Sequence, residues 1–141
     1  MGMSNLFDTY SPAANRPLCV CLDSHPQMAL DAIGKARMIH SLTDNSHFMV
    51  RILRCESCGQ LFLKIFYELI DWSGGDDSQA RMFVPISESE AKHLIDAGQE
   101  VNDQFLLDMN INRRFLSQIL PRGGEERVQW GSGPLVILPH D

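Results

Sequence analysis

The chain has no apolar run longer than a few residues, far short of the roughly 20 needed to span a bilayer as a helix. Its opening stretch, MGMSNLFDTYSPAANRP, lacks the basic-then-apolar order of a secretory leader, so a cytoplasmic protein with no membrane partner is expected. Positive charge is in the minority: 12 Lys and Arg stand against 18 Asp and Glu, giving a formal net charge of −6. A phosphate-backbone binder needs clustered cations, so this balance weighs against nucleic acid as a partner. Arg51 with Arg54, or Arg113 with Arg114, are the places where a local basic patch could still form. G-x-S-x-G, the P-loop, the dinucleotide fingerprint and H-E-x-x-H are all missing. No catalytic residue is assigned on this basis, and the chain reads as a non-enzyme. The glycine- and acid-rich SGGDDS stretch lacks the calcium-ligand spacing of an EF-hand, and its adjacent acids would repel phosphate.

What remains is a chain of 141 residues, 44% hydrophobic and 21% charged, which suits one globular domain of ordinary size. Residues 1–17 show no periodicity and read as an extended or mobile arm. PLCVCL (17–22) alternates like a short strand. The next segment reads as a helix over 26–36, entered through Ser24 with Pro26 in its first turn. If it stops near Arg37, RMIHSL is left extended, and TDNS (43–46) makes a turn. Phe48, Val50 and Ile52 then alternate along a strand over 48–54. The segments 60–72 and 80–86 form a β-hairpin around SGGDDSQ. Ser87 and Glu90 make a capping box for a helix over 87–97, stopped by Gly98. Residues 102–120 also follow a helical pattern, divided at most by Asn112 capping a second short helix. Leu135–Leu138 is a last strand candidate. The expected fold is α+β: an antiparallel meander sheet with the helices on one face, in a single domain of arm (1–17), sheet and helices (18–98) and helical tail (99–141).

All four cysteines fall into two close pairs, Cys19-x-Cys21 and Cys55-x-x-Cys58, with none left over. Structural zinc fills a tetrahedron with four soft ligands, and a CxxCG turn aims two thiolates at one metal. A CxC pair on a strand also works, since residues two apart share a face. The spacing favours a Zn²⁺ site holding Cys19, Cys21, Cys55 and Cys58, which would staple two distant segments. His25 or His47 could replace one cysteine. Free core thiols, a redox pair and a disulfide stay as alternatives, although Cys58 is followed by strand-like sequence rather than the helix of a thioredoxin-like motif.

Glu68, Asp71, Asp76 and Asp77 gather acidic charge around the hairpin tip, with Trp72 beside it, and form a candidate docking surface for a basic protein. Trp130 is a second possible anchor, although packing against the sheet or a helix is the favoured reading of both tryptophans. The stretch RCESCGQLFLKIFYELIDWSGGDDSQARMFVPIS resembles small bacterial zinc-ribbon-like proteins of unassigned function, in which a CxxCG knuckle feeds a long strand, a polar turn and a return strand. Cys55, Cys58 and Gly59 carry the motif, within a likeness that extends over about residues 48–98. Some similar families are immunity proteins that neutralise toxins passed between bacteria. That resemblance implies a non-catalytic protein-binding domain whose partner is a basic toxin domain. The alternative is a zinc-ribbon nucleic-acid-binding or transcription-related protein.

Overall fold

The fold is given by a computed structural model, which describes residues 19–45, 47–69, 78–120 and 125–137. The proposed arm (1–17) and the hairpin tip (70–77) lie outside the described residues.

Among the described residues, six antiparallel strands form one sheet in simple sequence order. They are β1 (Arg37–Asn45), β2 (Phe48–Arg54), β3 (Leu61–Leu69), β4 (Ser78–Ile86), β5 (Phe115–Leu120) and β6 (Arg127–Gly131). The pleat explains why β3 reads as an almost unbroken apolar run. Leu61, Leu63, Ile65 and Tyr67 point to one face, while Phe62 and Phe66 point to the other. Both sets are buried because β3 lies inside the sheet and both faces are covered.

The two faces carry separate cores. On the first, Val50, Ile52, Leu63, Ile65, Met82 and Val84 pack against helix α2 (Glu88–Ala97) through Ala91 and Leu94, and against α3 (Asp103–Asp108) through Leu106. On the second, Leu53, Phe62, Phe83 and Leu116 pack against helix α1 (Pro26–Ile33) through Ala29 and Ile33. The expectation of helices on one face is therefore corrected. The alternation of β2, β3 and β4 leaves two apolar faces, and each needs its own cover.

Local signals placed α2 well. Ser87 Oγ accepts from the Glu90 N–H at 3.1 Å, and the Glu90 carboxylate accepts from the Ser87 N–H at 2.8 Å. Gly98 ends the helix in a positive-φ conformation. Helix α1 is shorter than expected, ending at Ile33 with Gly34 as its cap, and its N-cap is His25 rather than Ser24. The TDNS turn is also corrected, because Thr43–Asn45 continue β1 along its pairing with β2.

The largest correction concerns residues 102–120. Helix α3 ends at Asp108, and Asn110 adopts φ 56°, which breaks the helical path. Asn112 caps no helix; its backbone bridges Pro134 instead. Phe115–Leu120 then runs as β5 beside β4, with Leu116 opposite Phe83. Short apolar runs fit either period, and here the open edge of β4 decides the outcome. Leu135 is buried and donates its N–H to Ile111 at 2.9 Å, but 135–137 form no strand; the tail's strand is β6, earlier in sequence.

Candidate metal centre

The first cysteine pair sits on a single 3-10 turn, Val20–Leu22, and not on a strand. The Leu22 N–H donates to the Cys19 carbonyl at 2.9 Å, and the Asp23 N–H to Val20 at 2.9 Å. This turn buries Cys21 completely and leaves Val20 exposed. His25 Nδ1 then accepts from the Met28 N–H at 3.4 Å, which starts α1 directly after the turn.

The second pair sits in the loop joining β2 to β3. Its turn is closed by the Gly59 N–H donating to the Cys55 carbonyl at 2.8 Å, and by the Cys55 N–H donating to Gln60 at 2.9 Å. Gly59 takes φ 83°, a conformation that costs any side-chain-bearing residue strain. The Arg54 guanidinium reaches the Gly59 carbonyl at 3.1 Å and Glu88 at 3.1 Å, holding the loop against the start of α2.

The fold brings both segments together. Cys19 Sγ lies 3.7 Å from Cys55 Sγ, and Cys21 Sγ 3.6 Å from Cys58 Sγ. All four sulfurs fall within 4.8 Å of one another. Four thiolates at the usual Zn–S length of about 2.3 Å stand about 3.8 Å apart along each edge of their tetrahedron, so the donor set fits zinc in number, chemistry and size. All four are free thiols, and the contacts of 3.6 and 3.7 Å each join one segment to the other. A redox dithiol would instead pair the two cysteines of its own CxxC.

Electrostatics favour a cation at the centre. Burial pushes the Cys21 thiol far above its ordinary value, and the adjacent Cys58 thiol adds to this. Burial likewise raises Cys58. At Cys55 burial opposes ionisation as the largest single influence, but hydrogen bonds from the Cys58 and Ser57 backbone and from the Cys19 and Cys21 thiols together lower the thiol. Four thiolates could not share this volume unaided, whereas a divalent ion deprotonates its thiol ligands outright.

The other expected site residues fare differently. Neither histidine joins the sulfurs: His25 caps α1, and His47 Nδ1 is 2.6 Å from Glu68 Oε1. Glu68 is thereby committed to an internal pair, with its side chain 19% exposed, and is not a free docking charge. Asp71, Trp72, Asp76 and Asp77 lie outside the described residues. Trp130 is half-buried on β6; it donates to the Asp23 carbonyl at 2.7 Å and carries the Arg114 guanidinium 3.9 Å above its ring. It thus clasps the cysteine turn to the sheet, as the packing alternative anticipated.

Sequence reading missed the buried pair of Glu90 and Arg113, which meet in a fork of 2.8 and 2.6 Å. Only the long-range fold brings β5's approach to the start of α2, so no local pattern marked it. Family models, curated proteins and solved structures give no match to this chain. No helix among the described residues is long and apolar enough to cross a membrane.

Proposed function

We propose that the chain is a non-catalytic protein-interaction domain stapled by one structural zinc ion on Cys19, Cys21, Cys55 and Cys58. The convergence of four thiols from two segments on one tetrahedron-sized volume carries this reading. Four protein ligands leave no open coordination position for water or substrate, which is the arrangement of structural and not catalytic zinc. Two other ionisable pairs are used up internally: Glu90 is forked to Arg113, and His47 is bonded to Glu68 at the far end of β2 and β3. When bound, the ion would supply cross-linking alone, and the surfaces it holds in place would do the binding.

Toxin neutralisation is the concrete form of this function. It rests on the resemblance of the knuckle region to immunity-type proteins and on the net charge of −6, which suits a basic partner and speeds its association. Metal analysis of the purified chain tests the first part. One zinc per chain is expected, lost on substitution of Cys21 by serine. A metal-free protein that is folded as purified overturns the zinc reading. Co-purification tests the second part, together with the reading frames beside the gene. Recovery of a basic partner whose toxicity the chain suppresses supports it. A chain that recovers no partner and has no toxin encoded nearby counts decisively against it.

A further inference from the structure

On the second sheet face, beside α1, an open cavity of about 340 Å³ brings together Arg51, Lys64 and Arg81 from three adjacent strands. Lys64 lies directly across from Arg51 in the β2–β3 ladder, and Arg81 follows on β4. Three like charges on neighbouring strands of an acidic protein are costly to assemble. Solvation relieves them only in part, because burial, together with the Arg81 and Arg51 charges, holds the Lys64 ammonium below its ordinary value. Among the described residues no carboxylate pairs with Lys64 or Arg81. Arg51 reaches Asp44 at 3.8 Å, with 60% of that side chain exposed, and the Met49 sulfur at 3.5 Å, while the buried Arg51 Nε has no hydrogen-bond partner. Aromatic faces support the cations instead: Lys64 Nζ is 5.9 Å from the Phe83 ring centroid, and Arg81 is 5.1 Å from that of Phe66. Gln118, opposite Arg81 and bonded to Glu126, adds one polar side chain, and the rest of the wall is apolar, with Ile33 of α1, Phe83 and the exposed Met38.

We infer that this cavity binds a small amphipathic oxyanion, with a phosphate or carboxylate head against Arg51, Lys64 and Arg81 and an apolar body against Ile33, Met38 and Phe83. The volume lies at the lower end of the roughly 300–1,000 Å³ of small-molecule sites, which suits a compact ligand and not a polymer. An oxyanion would satisfy the donors that the protein leaves unpaired, and charge-assisted hydrogen bonds of this kind are the strong ones. The site requires α1 to be docked and so rests on the proposed staple; measuring the zinc content of the titrated chain separates a failure of this site from a failure of the zinc reading.

The test is titration of the full chain, as purified, with phenyl phosphate, phenylacetate, inorganic phosphate and benzyl alcohol, followed by NMR. Phenyl phosphate or phenylacetate is expected to shift resonances of β2, β3, β4 and α1 around the cavity, and the tighter of the two identifies the head group. Arg81→Gln and Arg51→Gln should each weaken that binding about tenfold or more. Lys64→Met, which keeps the stem over Phe83, provides a variant whose fold is expected to survive. Absence of binding by both aromatic anions overturns the inference, as does equal binding by folded Lys64→Met. Benzyl alcohol binding as tightly as the anions removes the role of the cations. Inorganic phosphate binding as tightly as phenyl phosphate removes that of the apolar wall.

Discussion

Chelating the metal, or replacing Cys55 with serine, should release the cysteine turn and α1 from the sheet. Ordering residues 19–33 costs roughly 15 kcal/mol at about 1 kcal/mol per residue. Burying Leu22, Ala29 and Ile33 returns roughly 5 kcal/mol of this. Eight residues are too few for α1 to be stable alone. About 10 kcal/mol is left over, which is the lower end of the roughly 10–16 kcal/mol that structural zinc sites supply. Once the segment leaves, Leu53, Phe62, Phe83 and Leu116 lose their cover, so the loss reaches the sheet itself. The expected fall in Tm is on the order of 10 °C or more. Circular dichroism follows the sheet, and tryptophan fluorescence in a Trp72→Phe background follows Trp130, which is bonded to Asp23 at 2.7 Å. Trp130 should report its change at lower urea than the sheet does. Equal Tm values for the chelated and zinc-treated protein would refute the staple.

The remaining predictions concern other parts of the fold. Arg113→Met leaves the fully buried Glu90 carboxylate without its forked partner and should cost about 3–5 kcal/mol in urea unfolding; the double variant Glu90→Leu/Arg113→Met should recover part of that loss. Cys21 and Cys58 lie above the ordinary thiol value of 9.0, so both are protonated at neutral pH and must lose protons when zinc enters. Zinc affinity should therefore fall as pH falls, and titration calorimetry in buffers of different ionisation heat should detect proton release. Gly59→Ala meets open space but keeps a φ of 83°, so the cost is strain alone, about 1–2 kcal/mol, visible as weaker zinc retention against a chelator. Lys64→Met removes a crowded cation and should raise stability by about 0.5–2 kcal/mol in thermal unfolding while abolishing anion binding.

Local chemistry made part of this protein legible from its residues. The alternation of Phe48, Val50 and Ile52, the capping box of Ser87 and Glu90, and the glycine after Cys58 each act over a few residues, and each appears where the sequence put it. The pairing of cysteines was legible too, because chelation leaves a spacing signature even when the backbone carrying it was misassigned, as at Cys19–Cys21. Phe115–Leu120 was not legible: its apolar spacing fits a helix as well as a strand, and only the free edge of β4 selects the strand.

Determined by the sequence alone were the four thiols of the candidate metal site, the sheet's central hairpin and the absence of the G-x-S-x-G, P-loop, dinucleotide and H-E-x-x-H motifs. Tertiary structure decided which face each helix covers, because β3 is apolar on both sides and offers no preference. It decided that His47 answers Glu68 and that Arg113 answers Glu90, across 21 and 23 residues of chain. It also decided that Arg51, Lys64 and Arg81, unremarkable apart from one another in sequence, share one cavity. Such groupings depend on strand register, and register is fixed only when distant segments pair.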